Sequence, residues 1–288
     1  MARKLSSLVC LSVLAIVPLS AAEAVSQFAS LDGNKIHYDS FGQGDEAVVF
    51  IHGWTCDSTF WKAQAPIYET RRSLLIDLPG HGRSDKPEIR YTMELFARAV
   101  DAVMTDAKVR KATLAVHSMG ALVTIQFLRM HPEKVAGLVI VDGFIPQPPK
   151  DDAEREKQKT QRVELVKAYR APDYKTSAIR MLDSMFTAQT DPALRNQIQT
   201  RMLSAPQYVM ASAMEGMMAA EPLTESYPRL PVEAIMMKRG NSTAYEEFLK
   251  QHFSLVGYRE FDDAGHFLMM EQPQKFNQIL REFLDRKQ

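Results

Sequence analysis

Cysteine is nearly absent, with two residues in 288, Cys10 and Cys56. Cys10 lies in an N-terminal apolar stretch, so Cys56 stands alone in the remainder and no internal disulfide can staple the fold. Excess charge of one sign is lacking as well. Lys plus Arg and Asp plus Glu number 35 each, which leaves no basic field for nucleic acid or an anionic membrane and points to a small-molecule partner. There are no internal repeats and no low-complexity tract. Nor does any apolar run reach the roughly 20 residues that a membrane-spanning helix needs.

The longest such run, Leu5 to about Leu19, follows Arg3 and Lys4 and gives way to Ser20, Ala21 and Ala22, with Pro18 breaking the helix. A basic start, a short apolar stretch and small residues predict a secretory signal peptide over residues 1–24, cut between Ala22 and Ala24. The mature protein is then expected to be secreted or periplasmic, without stable membrane association. An uncleaved anchor is the alternative.

What the chain does contain is 45% hydrophobic residues, enough for one large domain or a domain carrying an insertion. Strand-like runs alternate with helical stretches: Lys35 to Phe41, Ala47 to Ile51, Ser73 to Leu78, Ala112 to Val116, Val135 to Val141, Val232 to Met237 and Val256 to Phe261. Runs apolar enough to be covered on both faces predict an α/β architecture around a mostly parallel sheet. The first two, joined by "FGQGDE", have the spacing of an antiparallel pair. From Phe144 to about Pro228 there is no strand pattern, and the stretch reads as a helical insertion. The expected division is a core over 25–143 and 229–288 and a cap over 144–228. The first helix of the insertion, "DDAEREKQKTQRVELVKAYR", reads as a solvated, charged face. Its later part is rich in methionine, which forms either plain core or an adaptable apolar wall over a cleft. The second reading singles out Met214 and Met217 as substrate contacts.

In "LAVHSMGALV" the period changes from strand to helix within one or two residues of Ser118. Such a turn exposes a hydroxyl while the helix N-terminus aims backbone N–H groups at the same spot. A serine attacks a carbonyl only when a base takes its proton. Of seven histidines, His52, His81 and His117 fall in turns where structural hydrogen bonding explains them, and His37, His131 and His252 fall in a strand, a helix end and a late helix. His266 follows an apolar strand on the loop "FDDAGHF", at the carboxyl edge where α/β sheets gather their sites.

Four motifs, "VVFIHGW" from Val48, "LIDLPGHGRSDKP" from Leu75, "VHSMGA" from Val116 and "GHFLMMEQP" from Gly265, occur in this order. Together they resemble the α/β-hydrolase fold superfamily over nearly the whole mature length. The resemblance implies a mostly parallel eight-stranded sheet flanked by helices, with a helical cap inserted after the sixth strand. It also implies roles: Ser118 as nucleophile, His266 as base, and the backbone N–H groups of Met119 and Trp54 as the oxyanion hole. No metal and no cofactor are called for. Dehalogenases and epoxide hydrolases of the superfamily carry aspartate at the elbow, so a serine argues against both.

Two departures stand out. Val116 is larger than the residue usual two places before the nucleophile. Many members place the triad acid after the seventh strand, and here no carboxylate occurs between Lys238 and Ala244. Asp142, at the end of "GLVIVDGF", is the acid expected instead, since an imidazole accepting a proton needs a carboxylate to fix its tautomer. Glu246, Glu247, Asp262 and Asp263 are the reserve candidates. The expected activity is hydrolysis of small apolar carboxylic esters through an acyl-enzyme. Alternatives on the same triad are a lactone, an amide or a carbon–carbon bond next to a ketone. Further alternatives are cofactor-free oxygenation, perhydrolysis or a silent ligand-binding protein.

Overall fold

The computed structural model describes residues 24–240 and 242–286. All but the last residue of the expected signal peptide lies outside the described residues. Eight strands form one sheet: β1 (Val25–Leu31), β2 (Asn34–Phe41), β3 (Glu46–Ile51), β4 (Ser73–Ile76), β5 (Lys111–His117), β6 (Val135–Val141), β7 (Tyr227–Met237) and β8 (Phe253–Phe261). Their order is β1-β2-β4-β3-β5-β6-β7-β8. β2 is antiparallel to both β1 and β4, and every pair from β4 to β8 is parallel.

The helices are α1 (Ala65–Tyr68), α2 (Met93–Asp106), α3 (Met119–Met130), α4 (Asp152–Arg170), α5 (Tyr174–Asp183), α6 (Pro192–Met202), α7 (Gln207–Met218), α8 (Ser242–His252), α9 (Leu268–Glu271) and α10 (Pro273–Asp285). Strands β3 to β6 are buried along nearly their whole length, as apolar strands covered by helices on both faces must be. Helices α4 to α7 fall between β6 and β7, where the sequence lacks a strand pattern. Among the described residues no helix is long and apolar enough to cross a membrane.

One expectation is corrected. The runs flanking "FGQGDE" are β2 and β3, and they do not pair, because β4 lies between them. The tight hairpin is instead β1 to β2, closed by Asp32 and Gly33 with φ of 51° and 81°, the backbone that a two-residue hairpin of matching twist requires. β1 itself escapes the sequence pattern because it is an edge strand whose side chains, apart from Ala29, are not buried.

The parallel order has one consequence for chemistry. Trp54, Ser118, Asp142, Arg239 and His266 all follow the carboxyl ends of strands β3, β5, β6, β7 and β8, which are consecutive in the sheet. That edge is where open α/β sheets bind their ligands.

Candidate active site

Ser118 stands between β5 and α3 with φ 52° and ψ −114°, a backbone that a residue with a side chain adopts only when its surroundings hold it. The hold is visible: its N–H donates to Val141 O at 3.0 Å, and its own carbonyl accepts from Ala121 N at 3.0 Å. Gly120 lets α3 start this close to the sheet. A Cβ there would stand 2.9 Å from Ile51 O and 3.2 Å from Val116 Cβ. The glycine thus supplies the room that the bulky Val116 takes. The Ser118 hydroxyl makes no hydrogen bond among the described residues, and catalytic hydrogen bonds are often long before substrate binds.

Asp142 follows β6 with φ 41°, and its N–H extends the ladder by donating to Ile235 O at 2.8 Å. Its carboxylate has no exposed surface. His266 Nδ1 donates to its Oδ2 at 2.5 Å, and Met237 N donates to its Oδ1 at 3.1 Å. The guanidinium of Arg239 forks onto the same group, Nη1 to Oδ1 at 2.5 Å and Nη2 to Oδ2 at 2.8 Å. Burial opposes the charge on Asp142, but hydrogen bonds from Arg239 and His266, together with the charge of the guanidinium, hold it well below the usual carboxylate range. Asp142 is ionised and fully partnered. With Nδ1 of His266 donating to it, Nε2 is the ring nitrogen left without a hydrogen-bond partner among the described residues.

The loop bearing His266 is fastened from three sides. His266 N donates to Met185 O at 2.7 Å, Gly265 N to Glu271 Oε1 at 3.0 Å, and His117 Nε2 to the His266 carbonyl at 2.9 Å. Burial, and then the neighbouring His266, depress His117 to about 3, which keeps it neutral. His52 and His81 serve backbone as well: His52 Nδ1 donates to Gly53 O at 2.8 Å, and His81 Nδ1 to Pro79 O at 2.8 Å.

Ser118, Met119, Asp142 and His266 line one cavity of about 310 Å³. Its apolar lining comes from Leu122, Phe144, Ile145, Pro146, Met217 and Met218. Of the two methionines expected from sequence, Met217 lines this cavity and Met214 does not; Met214 is fully buried in the core. Trp54 does not line it either. Its indole donates to Met210 O at 3.0 Å and meets Tyr169 edge-on at 5.1 Å, while its backbone N–H has no acceptor among the described residues. Met119 opens α3, where a first-turn N–H has no intrahelical acceptor. A larger depression of about 770 Å³ lies at the amino ends of the strands and holds none of these residues. Among the described residues no group of three or more His, Cys, Asp or Glu is arranged to hold a metal ion.

Two charged cavity residues, Arg162 and Arg239, lie outside the sequence expectations. Arg239 had a signal: it occupies the loop after β7 that lacks a carboxylate. Arg162 had a fainter one, since it lies on the side of α4 shared by Leu165, Val166 and Tyr169, and so the expectation of a uniformly solvated helix is corrected.

Residues 48–279 match the Alpha/beta hydrolase family. The chain is 27% identical over 274 residues to 2-hydroxy-6-oxononadienedioate/2-hydroxy-6-oxononatrienedioate hydrolase of Escherichia coli, covering 88% of this chain and 91% of that one. Other curated relatives, 30–34% identical, align over only 27–34% of their own length, so the chain spans about a third of them. Among solved structures, a thermophilic esterase from Thermogutta terrifontis superposes with a TM-score of 0.77 at 23% identity, covering 92% of this chain and 99% of that one. Est816, described as an N-acyl homoserine lactone degrading enzyme, gives 0.75 at 26% identity over 89% of this chain and 99% of its own.

Proposed function

The chain belongs to the alpha/beta hydrolase family, and from that premise we propose that it is a serine hydrolase cleaving small carboxylic esters through an acyl-enzyme. One observation carries the reading: a serine held at positive φ shares a cavity with an imidazole whose far nitrogen is fixed by a buried carboxylate. In this reading Ser118 Oγ attacks the ester carbonyl as His266 Nε2 takes its proton. The backbone N–H groups of Met119 and Trp54 receive the oxyanion, each worth about 3–4 kcal/mol of barrier. The imidazolium returns the proton to the leaving alcohol. Water then repeats the sequence on the acyl-enzyme. Asp142 holds the tautomer, and the α4 to α7 segment caps the acyl-binding cleft.

The test is a panel of p-nitrophenyl esters of rising chain length, together with labelling by a fluorophosphonate. Turnover and labelling at Ser118, both lost in Ser118→Ala, are expected. A Ser118→Ala protein keeping more than about a tenth of the turnover, less than about 1.4 kcal/mol of barrier, overturns the assignment. A lactone opened on the same groups is the second reading, favoured by the likeness to the lactone-degrading Est816; lactones therefore belong in the panel. We further propose export, with residues 1–24 as the signal. N-terminal sequencing of the exported protein should begin at Glu23 or Val25.

A further inference from the structure

The charges lining the cavity do not balance. Asp142 contributes one carboxylate, and Arg239 is forked onto it. Arg162 adds a second guanidinium for which no hydrogen-bond or ion-pair partner exists among the described residues. The sequence explains why. On a helix a side chain meets those three and four places away, and around Arg162 these are Gln158, Lys159, Leu165 and Val166, none of them acidic. Three other cations of α4 do find carboxylates: Arg155 pairs with Asp152, Lys159 with Glu156 and Arg170 with Glu215.

The position is also directional. Arg162 shares its side of α4 with Leu165 and Tyr169, which pack into the core, and Tyr169 reaches Trp54. An arginine on that stripe is partly buried and faces the cavity that holds Ser118. A partly desolvated guanidinium amid methionine, phenylalanine and proline is an incomplete site, because its fork of N–H donors has nothing to bind.

We infer that Arg162 binds a carboxylate carried on the acyl portion of the substrate, remote from the scissile carbonyl, so that the preferred substrates are monoesters of short dicarboxylic acids or their lactone equivalents. This rests on the serine hydrolase reading and narrows its substrate class from small esters in general to those with an anionic acyl chain. A planar carboxylate matches the guanidinium fork bidentately. The cavity of about 310 Å³ lies at the small end of ligand sites, which keeps the acyl chain short.

The experiment compares mono-p-nitrophenyl glutarate with p-nitrophenyl valerate, equal in chain length and differing in a terminal carboxylate against a methyl group. In the wild-type protein kcat/KM for the glutarate ester should exceed that for the valerate ester by about tenfold or more, mainly through KM, and the preference should shrink with added salt. R162Q should lower the ratio of the two by about ten- to hundredfold, and R162K should keep part of it. A wild-type preference for valerate, or an R162Q ratio equal to the wild-type one, overturns the inference whether or not the variant is fully stable. Fluorophosphonate labelling of Ser118 separates the two levels. Labelling and valerate turnover without a carboxylate preference overturn the inference alone, whereas no labelling and no turnover of either ester overturn the hydrolase reading and the inference with it.

Discussion

His117 donates from Nε2 to the main-chain oxygen of His266 at 2.9 Å, so the residue just before the elbow serine carries the backbone of the residue read as its base. The two rings lie 4.6 Å apart. The last residue of β5 is thus tied to the loop after β8, across two intervening strands.

Removing that tie should displace the loop without touching the reacting groups. In His117→Leu the buried carbonyl of His266 loses its donor, a cost of about 1–3 kcal/mol. Turnover should fall about ten- to hundredfold with a lowered melting temperature, read by ester hydrolysis and thermal unfolding on the same preparation.

Asp142→Asn keeps shape and removes charge. Turnover should drop by about 10³–10⁴, because the amide no longer fixes the tautomer that leaves Nε2 free to accept a proton. Stability should fall too, since Arg239 loses the buried charge it is forked onto. Steady-state kinetics and a melting curve check both halves.

Arg239→Met tests the fork by itself. Without the guanidinium the buried carboxylate of Asp142 keeps only His266 and Met237 N as partners, so a buried charge is left short of compensation. The melting temperature should fall while turnover stays within about tenfold of wild type, read by calorimetry and ester hydrolysis on one preparation. A residue that only packs against Phe144, over whose ring the guanidinium sits at 4.8 Å, would lower the melting temperature no more than loss of that contact does.

Gly120→Ala should unsettle the elbow through packing. The added methyl meets the Ile51 carbonyl at 2.9 Å and the His52 carbonyl at 3.3 Å, backbone groups with little room to give. Overpacking of this kind costs about 1–3 kcal/mol, or a melting point lower by about 3–10 °C. Differential scanning calorimetry reads it directly.

His37 gives the fold a pH dependence of its own. Burial opposes its charge, but hydrogen bonds to Asp39 and Asp77 and their negative charge raise it to about 9. A histidine raised above its unfolded value of about 6.5 stabilises fully below that value, and the contribution is lost as pH climbs through about 9. Asp77 is held low despite burial, first by His37 and then by the N–H groups of Arg83 and Ser58, so its share is present above about 4 and lost on acidification. The melting-temperature gap between wild type and His37→Gln should therefore be widest near pH 6 and close toward pH 9–10.

The layered sheet was legible in the sequence because its parallel strands are buried on both faces and so read as apolar runs. Ser118 announced itself by the change of period around it, Asp142 directly follows such a run, and His266 lies on the loop after one. What stayed hidden depends on partners distant in the chain. β1 alternates like any half-exposed segment. The separation of β2 from β3 is decided by β4, which enters between them. Met214 and Met217 look alike in sequence, yet only a three-residue difference in helical phase sends one into the core and the other to the cavity. Arg162 is one of many charges on α4, and it becomes distinctive only when its neighbours' carboxylates are counted.

The pairing of His117 with Val141 makes the sheet edge a ruler. Ser118 and Asp142 are each the first residue beyond that rung, on adjacent strands. The end of β7, one strand further along, carries a group of opposite charge, the Arg239 guanidinium that forks back onto Asp142. The negative charge at the end of β6 is thereby enclosed between neighbours from the ends of β7 and β8 instead of standing open at the sheet edge.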